Sequence, residues 1–290
     1  MDGTVGAMAS VRIDGTDLNY QEHGTGPPLL LIHGNGGGAA VWGGTVATLA
    51  RDFRVIAYDR RGFGRSVHPP VRDWRRHGND AASLLRALDA APATVVGWSG
   101  GGITALDLAV HDPGVVSALV LAEPPLHAKR HLSARMAATM IRAQLLRRTR
   151  GERAAAEHFY RWASRYTTGG CAYDRFPATL QAAMRDTASA TLAELDAGTG
   201  EHLTAAAIGS ISCPVTCPVG DLSDPVFAAA TRRLTRMLPQ ATVVPITGAG
   251  HALHFDQPEQ FAASVRSAGE RPGTQFRPTT ASDPTKETQR

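Results

Sequence analysis

Residues Gly97-Trp98-Ser99-Gly100-Gly101 stand between a short apolar run at 93–96 and an apolar-periodic stretch at 103–110. An extended run that passes at once into a helix leaves no length for a loop. The chain must therefore reverse at essentially one residue, and a serine at that reversal stands clear of the backbone, the geometry of a nucleophile elbow. Side chains at 97 or 101 would collide with the neighbouring strand or helix, so small residues are required on both sides of Ser99. The pentapeptide is short, and its setting must decide whether it is such a turn.

That setting alternates strands with helices. Val11-Arg12-Ile13 and Leu18-Asn19-Tyr20 read as a hairpin turned at Asp14-Gly15. Residues 28–32 form a continuous apolar run, the mark of a strand buried on both faces, and His33-Gly34-Asn35-Gly36-Gly37-Gly38 follows directly. A second run, 53–58, ends at Asp59-Arg60-Arg61-Gly62-Phe63-Gly64-Arg65-Ser66. The pattern then predicts a helix over 79–90 and strands at 93–96 and 118–122. From about 124 to 209 alanine, leucine and arginine take over in helix-like spacing, broken at Gly151, Gly169-Gly170 and Gly198, before strands resume at 215–219 and 242–246.

The fold class this predicts is α/β: a mostly parallel central sheet flanked by helices, with its core in 11–123 and 210–268 and a helical cap inserted at 124–209. Residues 1–10 are expected to be flexible, and the proline-, threonine- and charge-rich tail 269–290 to be disordered. In parallel sheets the functional loops gather at the carboxyl ends of the strands. Ser99, the His33 loop, Glu123, Asp221 and His251 all fall at such ends.

Composition narrows the partners. The net charge is +4, but Arg142, Arg147, Arg148, Arg150 and Arg153 are interleaved with alanine and leucine instead of aromatics, as suits a solvated helical face and not a nucleic-acid groove. No apolar run approaches the length of a membrane span, and residues 1–10 lack both a basic and an apolar signal segment, so a cytoplasmic protein with no membrane and no nucleic-acid partner is expected. Cys171, Cys213 and Cys217 are too few for a disulfide framework and have no histidine at zinc-finger spacing; Cys213 and Cys217 fall on a core strand as buried thiols. The run Gly34 to Gly38 lacks the lysine of a phosphate-binding loop and the spacing of a dinucleotide fingerprint, so no cofactor and no metal is implied. The alanine-rich stretch 134–146 would pack equally well on its own core or on a second subunit, which leaves a homo-oligomer open.

Taken together, the HGNGGG loop at 33–38, DRRGFGRS at 59–66, GWSGG at 97–101, GDLSDP at 220–225 and GAGH at 248–251 resemble the α/β-hydrolase superfamily, in its serine-nucleophile branch with a helical cap. The likeness covers roughly residues 11–265 apart from the insertion. It implies Ser99 as nucleophile and His251 as the base that a serine hydroxyl needs at neutral pH. The base in turn needs an acid, placed by the resemblance after the penultimate strand, where Asp224 before Pro225 is preferred although it lies one residue farther from Gly220 than the commonest form. Asp221 and Glu123 are the alternatives; if Glu123 serves, Asp224 has only a helix-capping role.

The same likeness implies an oxyanion hole from the backbone N–H groups of Asn35 and Gly100. His33 and Gly34 shape that loop, Trp98 packs beneath the elbow or lines the pocket, and His254 packs nearby. Gly100 departs from the bulkier residue that commonly follows the serine.

Serine at 99, where related epoxide hydrolases and dehalogenases carry aspartate, points to acyl chemistry. The expectation is a cofactor-free serine hydrolase that cleaves an ester, thioester, lactone or related carbonyl of a small organic molecule through an acyl-enzyme. The alternatives on this scaffold are a lyase, cyclase, perhydrolase or carbon–carbon bond cleaving enzyme, and a ligand-binding receptor with weak catalysis. No motif within 126–198 names a substrate.

Overall fold

The computed structural model describes residues 8–131 and 133–268; the expectations for residues 1–7 and for the tail 269–290 lie outside it. Its strands are β1 (Met8–Ile13), β2 (Thr16–His23), β3 (Pro28–Ile32), β4 (Arg54–Tyr58), β5 (Ala93–Trp98), β6 (Val116–Ala122), β7 (Val215–Gly220) and β8 (Ala241–Ile246). They form one eight-stranded sheet in the order β1-β2-β4-β3-β5-β6-β7-β8. The pairs β1/β2 and β2/β4 are antiparallel and the remainder parallel. The helices are α1 (Thr45–Leu49), α2 (Trp74–Ala87), α3 (Gly100–His111), α4 (Ala134–Arg150), α5 (Glu152–Ala163), α6 (Ala178–Asp186), α7 (Ala188–Ala197), α8 (Ala205–Gly209), α9 (Pro225–Met237), α10 (Leu253–Asp256) and α11 (Pro258–Ser267).

Alternation along the central strands divides the core in two. Leu29, Leu31, Val55, Ala57, Val96 and Val120 pack into one cluster, while Leu30, Ile32, Ile56, Val95, Leu119 and Leu121 pack into the other. Successive side chains point to opposite faces of a sheet, and helices cover both faces here, so the strands read as unbroken apolar runs. Each such side chain contributes about 1.5–3 kcal/mol by leaving water, and Leu30→Ala would cost about 2–5 kcal/mol.

Strand register positions the site. Ile32 pairs with Tyr58 and Gly97, Trp98 with Ala122, and Gly220 with Ile246. The next residues along each strand, His33, Asp59, Ser99, Glu123, Asp221 and Thr247, therefore emerge along one rim. Between β6 and β7, α4 to α8 form the inserted segment; Ser133 caps α4 by accepting from Met136 N at 3.1 Å, and the left-handed Gly151 and Gly198 end α4 and α7.

Three placements differ from expectation. Met8 to Ser10 are not loose but the first residues of β1, paired with Gln21 to Asn19. Helix α2 starts at Trp74 behind the cap Asp73 instead of at 79, because the polar run Arg75-Arg76-His77-Gly78 hides a buried face that includes Trp74, His77 and Gly78. Strand β7 starts at Val215 as expected, so it is Cys213 that differs: it lies just before the strand and is half-buried, whereas Cys217 lies within it, buried, its thiol pushed up to about 12 by desolvation.

Candidate active site

The elbow is tight. Ser99 has φ 53° and ψ −123°, a conformation that costs of order 1–3 kcal/mol for a residue with a Cβ and persists only when its surroundings enforce it. They do so by close packing. A Cβ on Gly97 would stand 2.5 Å from Gly101 O, and one on Gly101 would strike the carbonyl of Ile32. Ser99 N donates to Ala122 O at 2.9 Å, tying the corner to β6. Gly100 is the first residue of α3, so its N–H has no partner within the helix and shares in the positive end of the helix dipole.

His251 follows β8 and is held on several sides. Gly250 N donates to Asp256 Oδ2 at 2.9 Å, Trp98 Nε1 donates to His251 O at 2.7 Å, and the Phe227 ring stacks on the imidazole at 3.7 Å. Trp98 is itself buried and lines the small cavity described below. The anchoring of His251 by Trp98 and Phe227 was not readable in the sequence, since neither contact follows from spacing.

The carboxylate against the imidazole is that of Glu123. Its Oε2 lies 2.7 Å from His251 Nδ1, and its Oε1 accepts from Gly220 N at 2.9 Å. Glu123 is fully buried and, like Ser99, has positive φ, 49°, and its side chain reaches across to the end of β7 and to His251. With Nδ1 donating to a carboxylate, the lone pair is left on Nε2. That atom is buried and has no hydrogen-bond partner among the described residues.

The preferred acid, Asp224, is therefore corrected. It is the N-cap of α9 and accepts from Val226 N at 3.1 Å, the capping role that an Asp-Pro pair at a helix start performs well. Asp221 accepts from Gly248 N at 2.8 Å at the surface. The end of β7 still contributes to the site, through the Gly220 amide that donates to Glu123.

The loop after β3 is fixed by a buried charged cluster that sequence reasoning missed. Arg60 donates from Nε to His33 O at 3.1 Å and from Nη2 to Gly34 O at 2.9 Å, while its backbone N donates to His33 Nε2 at 2.9 Å. His33 must then carry its proton on Nδ1, 2.7 Å from Gly34 O. Burial and the neighbouring Arg60 charge hold the His33 pKa well below the usual histidine range, so the ring stays neutral. In a trans peptide the C=O and N–H point opposite ways. With Gly34 O held by Arg60 and His33, the Asn35 N–H is directed away from them, and it makes no hydrogen bond among the described residues.

Glu194 of α7 completes the cluster. It pairs with Arg60, lies 3.0 Å from His77 Nε2, and accepts from Asn35 Nδ2 at 2.6 Å. Burial opposes its charge, yet the Arg60 guanidinium and His77 hold its carboxyl below the usual range. The only hint in the sequence was an acidic residue inside the apolar stretch Thr191-Leu192-Ala193-Glu194-Leu195. Asn35 also accounts for the small residue at 100: a Cβ there would stand 2.7 Å from Asn35 Oδ1. Gly34 is small for a related reason, since its Cβ would lie 2.9 Å from that of Ser99.

His254 takes no part in this arrangement. It is buried between Trp42 and Trp98, with centroids 4.7 Å from each, and donates from Nε2 to Val41 O at 3.1 Å.

Two cavities meet at Ser99. One, of about 490 Å³, runs beneath α4, α5 and α7 and is largely apolar. The other, of about 20 Å³, lies between Ser99 and His251. Among the described residues no group of three or more His, Cys, Asp or Glu is placed to hold a metal ion, and no helix is long and apolar enough to cross a membrane.

A family model described as "Alpha/beta hydrolase family" matches residues 29–264, most of the chain. The chain belongs to the alpha/beta hydrolase family. Among curated relatives of this alpha/beta hydrolase, human "Serine hydrolase BPHL" is 37% identical over 127 residues, which cover 41% of this chain and 43% of that protein. "Pimeloyl-[acyl-carrier protein] methyl ester esterase" of Vibrio atlanticus is 41% identical over 103 residues, 36% of this chain and 38% of that protein. The chain thus matches about two fifths of the length of these relatives. Among solved structures, the enol-lactonase from Burkholderia xenovorans LB400 superposes with a TM-score of 0.73 at 23% identity, covering 89% of this chain and 98% of that one.

Proposed function

We propose that this alpha/beta hydrolase is a serine hydrolase that cleaves a carboxylic ester, thioester, lactone or related carbonyl of a small organic molecule by way of an acyl-enzyme. One observation carries the reading: His251 is engaged by Glu123 at Nδ1, while its unpartnered Nε2 is buried in a residue that lines the same small cavity as Ser99. An imidazole so arranged is a base with nothing to accept from except what enters that cavity.

In the proposed cycle Nε2 takes the Ser99 Oγ proton as Oγ attacks the carbonyl carbon, and Glu123 stabilises the imidazolium. The carbonyl oxygen becomes an oxyanion, held by the N–H groups of Asn35 and Gly100; one such donor is typically worth about 3 kcal/mol in the transition state. Collapse expels the leaving oxygen or sulfur, which receives the proton from Nε2. Water then gives a proton to Nε2, attacks the acyl carbon and releases the acid, with Ser99 regaining its proton. Names among the relatives, a serine hydrolase and a methyl ester esterase, support the same class of reaction.

The test is Ser99→Ala against a panel of aryl and alkyl esters, with a fluorophosphonate probe. Wild-type protein is expected to turn over esters and to be labelled at Ser99; the variant should lose label and about four to six orders of magnitude in rate. Undiminished turnover by the variant would overturn the proposal.

A further inference from the structure

The two cavities at Ser99 are unequal, and only one of them is lined by the base. Asn35, Ser99, Phe159 and Ala163 line both. His251 lines the small one alone, together with Trp98, Tyr160, Phe176 and Met184. Its volume of about 20 Å³ holds one water molecule or a group of one or two heavy atoms. The large one, about 490 Å³, falls in the range of pockets that take drug-sized ligands.

Proton transfer fixes which half of an ester each cavity receives. When the tetrahedral intermediate collapses, the leaving oxygen takes a proton from His251 Nε2, so the leaving group must lie on the imidazole side. The hydrolytic water approaches from the same side, since it must give its proton to the same atom. The acyl group then has the other cavity. Its inner wall is apolar, with Ile103, Met136, Phe159, Trp162, Leu192 and Phe227. Of the two carboxylates that line this cavity, Glu194 is neutralised by Arg60 and Asp196 by Arg147 and Arg72, while Arg147 is also committed to Glu152. Charged and exposed Lys129 and polar, exposed Gln144 lie toward the outside.

From this partition we infer that the substrates are small-alkyl esters, methyl above all, of bulky apolar carboxylic acids: the acyl chain fills the cavity under α4, α5 and α7, and the alkoxy group fits between Ser99 and His251. The inference rests on the hydrolase reading above and assigns the two halves of its substrate. The bond broken is that between acyl carbon and alkoxy oxygen; the products are the acid and the small alcohol, with water supplying the added oxygen and hydrogens.

Two ester series test it on wild-type protein. In the first the alcohol is methanol and the acid grows from acetic through butyric and octanoic to decanoic; in the second the acid is octanoic and the alcohol changes from methanol to butanol, tert-butanol and benzyl alcohol. One misfitting or missing methylene in an apolar pocket is worth about tenfold or more. The expected result is a rise in kcat/KM of at least about tenfold from acetate to octanoate, and a fall of at least about tenfold from methyl to tert-butyl or benzyl. Met184→Ala should widen the small cavity and raise the butyl-to-methyl ratio, a quantity independent of how much protein is folded. Faster cleavage of octyl acetate than of methyl octanoate, or no discrimination in the alcohol series, would overturn the assignment while leaving the hydrolase intact. Failure to cleave any ester of either series by protein that a fluorophosphonate still labels at Ser99 would overturn the assignment alone; absence of that label as well would remove the hydrolase reading with it.

Discussion

Glu123 meets His251 across 2.7 Å from the end of β6, whereas Asp224, on the loop after β7, spends its carboxylate on the backbone of α9. The two residues should respond to substitution in opposite ways. Glu123→Gln keeps the shape but removes the charge that supports the imidazolium and presents an amide to Nδ1, so kcat should fall by about 10³–10⁴ with little change in melting temperature. Asp224→Ala should keep activity within a few-fold and cost about 0.5–2 kcal/mol of stability through the lost cap. Steady-state kinetics and thermal melts on the pair decide the matter; the reverse ranking of activities would reinstate Asp224 as the acid.

Glu194 should matter to both stability and rate. Glu194→Gln leaves Arg60 buried without its counter-charge, a loss of about 3–5 kcal/mol in urea unfolding. Replacing both partners by leucine, Arg60→Leu with Glu194→Leu, should recover much of that stability. It should not recover kcat, because Gly34 O loses its Arg60 donor and the Asn35 N–H loses its direction. A double variant with wild-type kcat would mean that the cluster serves stability alone.

Gly100 and Asn35 should be coupled. Gly100→Ala places a methyl 2.7 Å from Asn35 Oδ1, and the amide, bonded to Glu194, must give way. We expect about a tenfold loss in kcat in the wild-type background and a much smaller one once Asn35→Ala has removed the obstacle. Neighbouring residues show interaction terms of about 0.5–3 kcal/mol in such cycles. Additive effects would mean that the contact does not limit the choice of residue at 100.

The elements legible in the sequence were those dictated by short-range rules. Ser99 and its glycines, the Asp14-Gly15 hairpin turn, and the double-sided burial of β3 and β4 all follow from spacing along a few residues. Glu123 was weighed only as an alternative, because spacing gives the acid a loop and not a partner; its choice depends on a positive φ and on the Gly220 amide, 97 positions away. The Arg60, His77, Asn35 and Glu194 cluster was illegible for the same reason, since three separate core segments and one helix of the insertion supply it. Helix α2 was shortened at its start because polar residues there are buried by the hairpin and by α3, a tertiary effect that no period reveals.

Buried neutral histidines should make the fold sensitive to mild acid. Burial, and to a lesser degree the proximity of His251, lowers the His254 pKa from 6.5 to about 3, against a hydrogen bond to Val41 O that raises it. Between these values the unfolded chain binds a proton that the folded one does not, so the stability this group contributes is complete above pH 6.5 and is lost as pH falls toward 3. The loss is about 1.4 kcal/mol per pH unit per group, or about 2 kcal/mol by pH 5. His33, likewise held neutral by burial and by Arg60, adds a loss of the same sign over the same range. Glu194 adds a third only at lower pH, as its lowered carboxyl is protonated. Urea unfolding at pH 7.5, 6 and 5 should therefore show stability falling with acid, and His254→Gln should remove about one proton from the slope. A slope unchanged by that substitution would mean that His254 is protonated within the folded protein at these pH values.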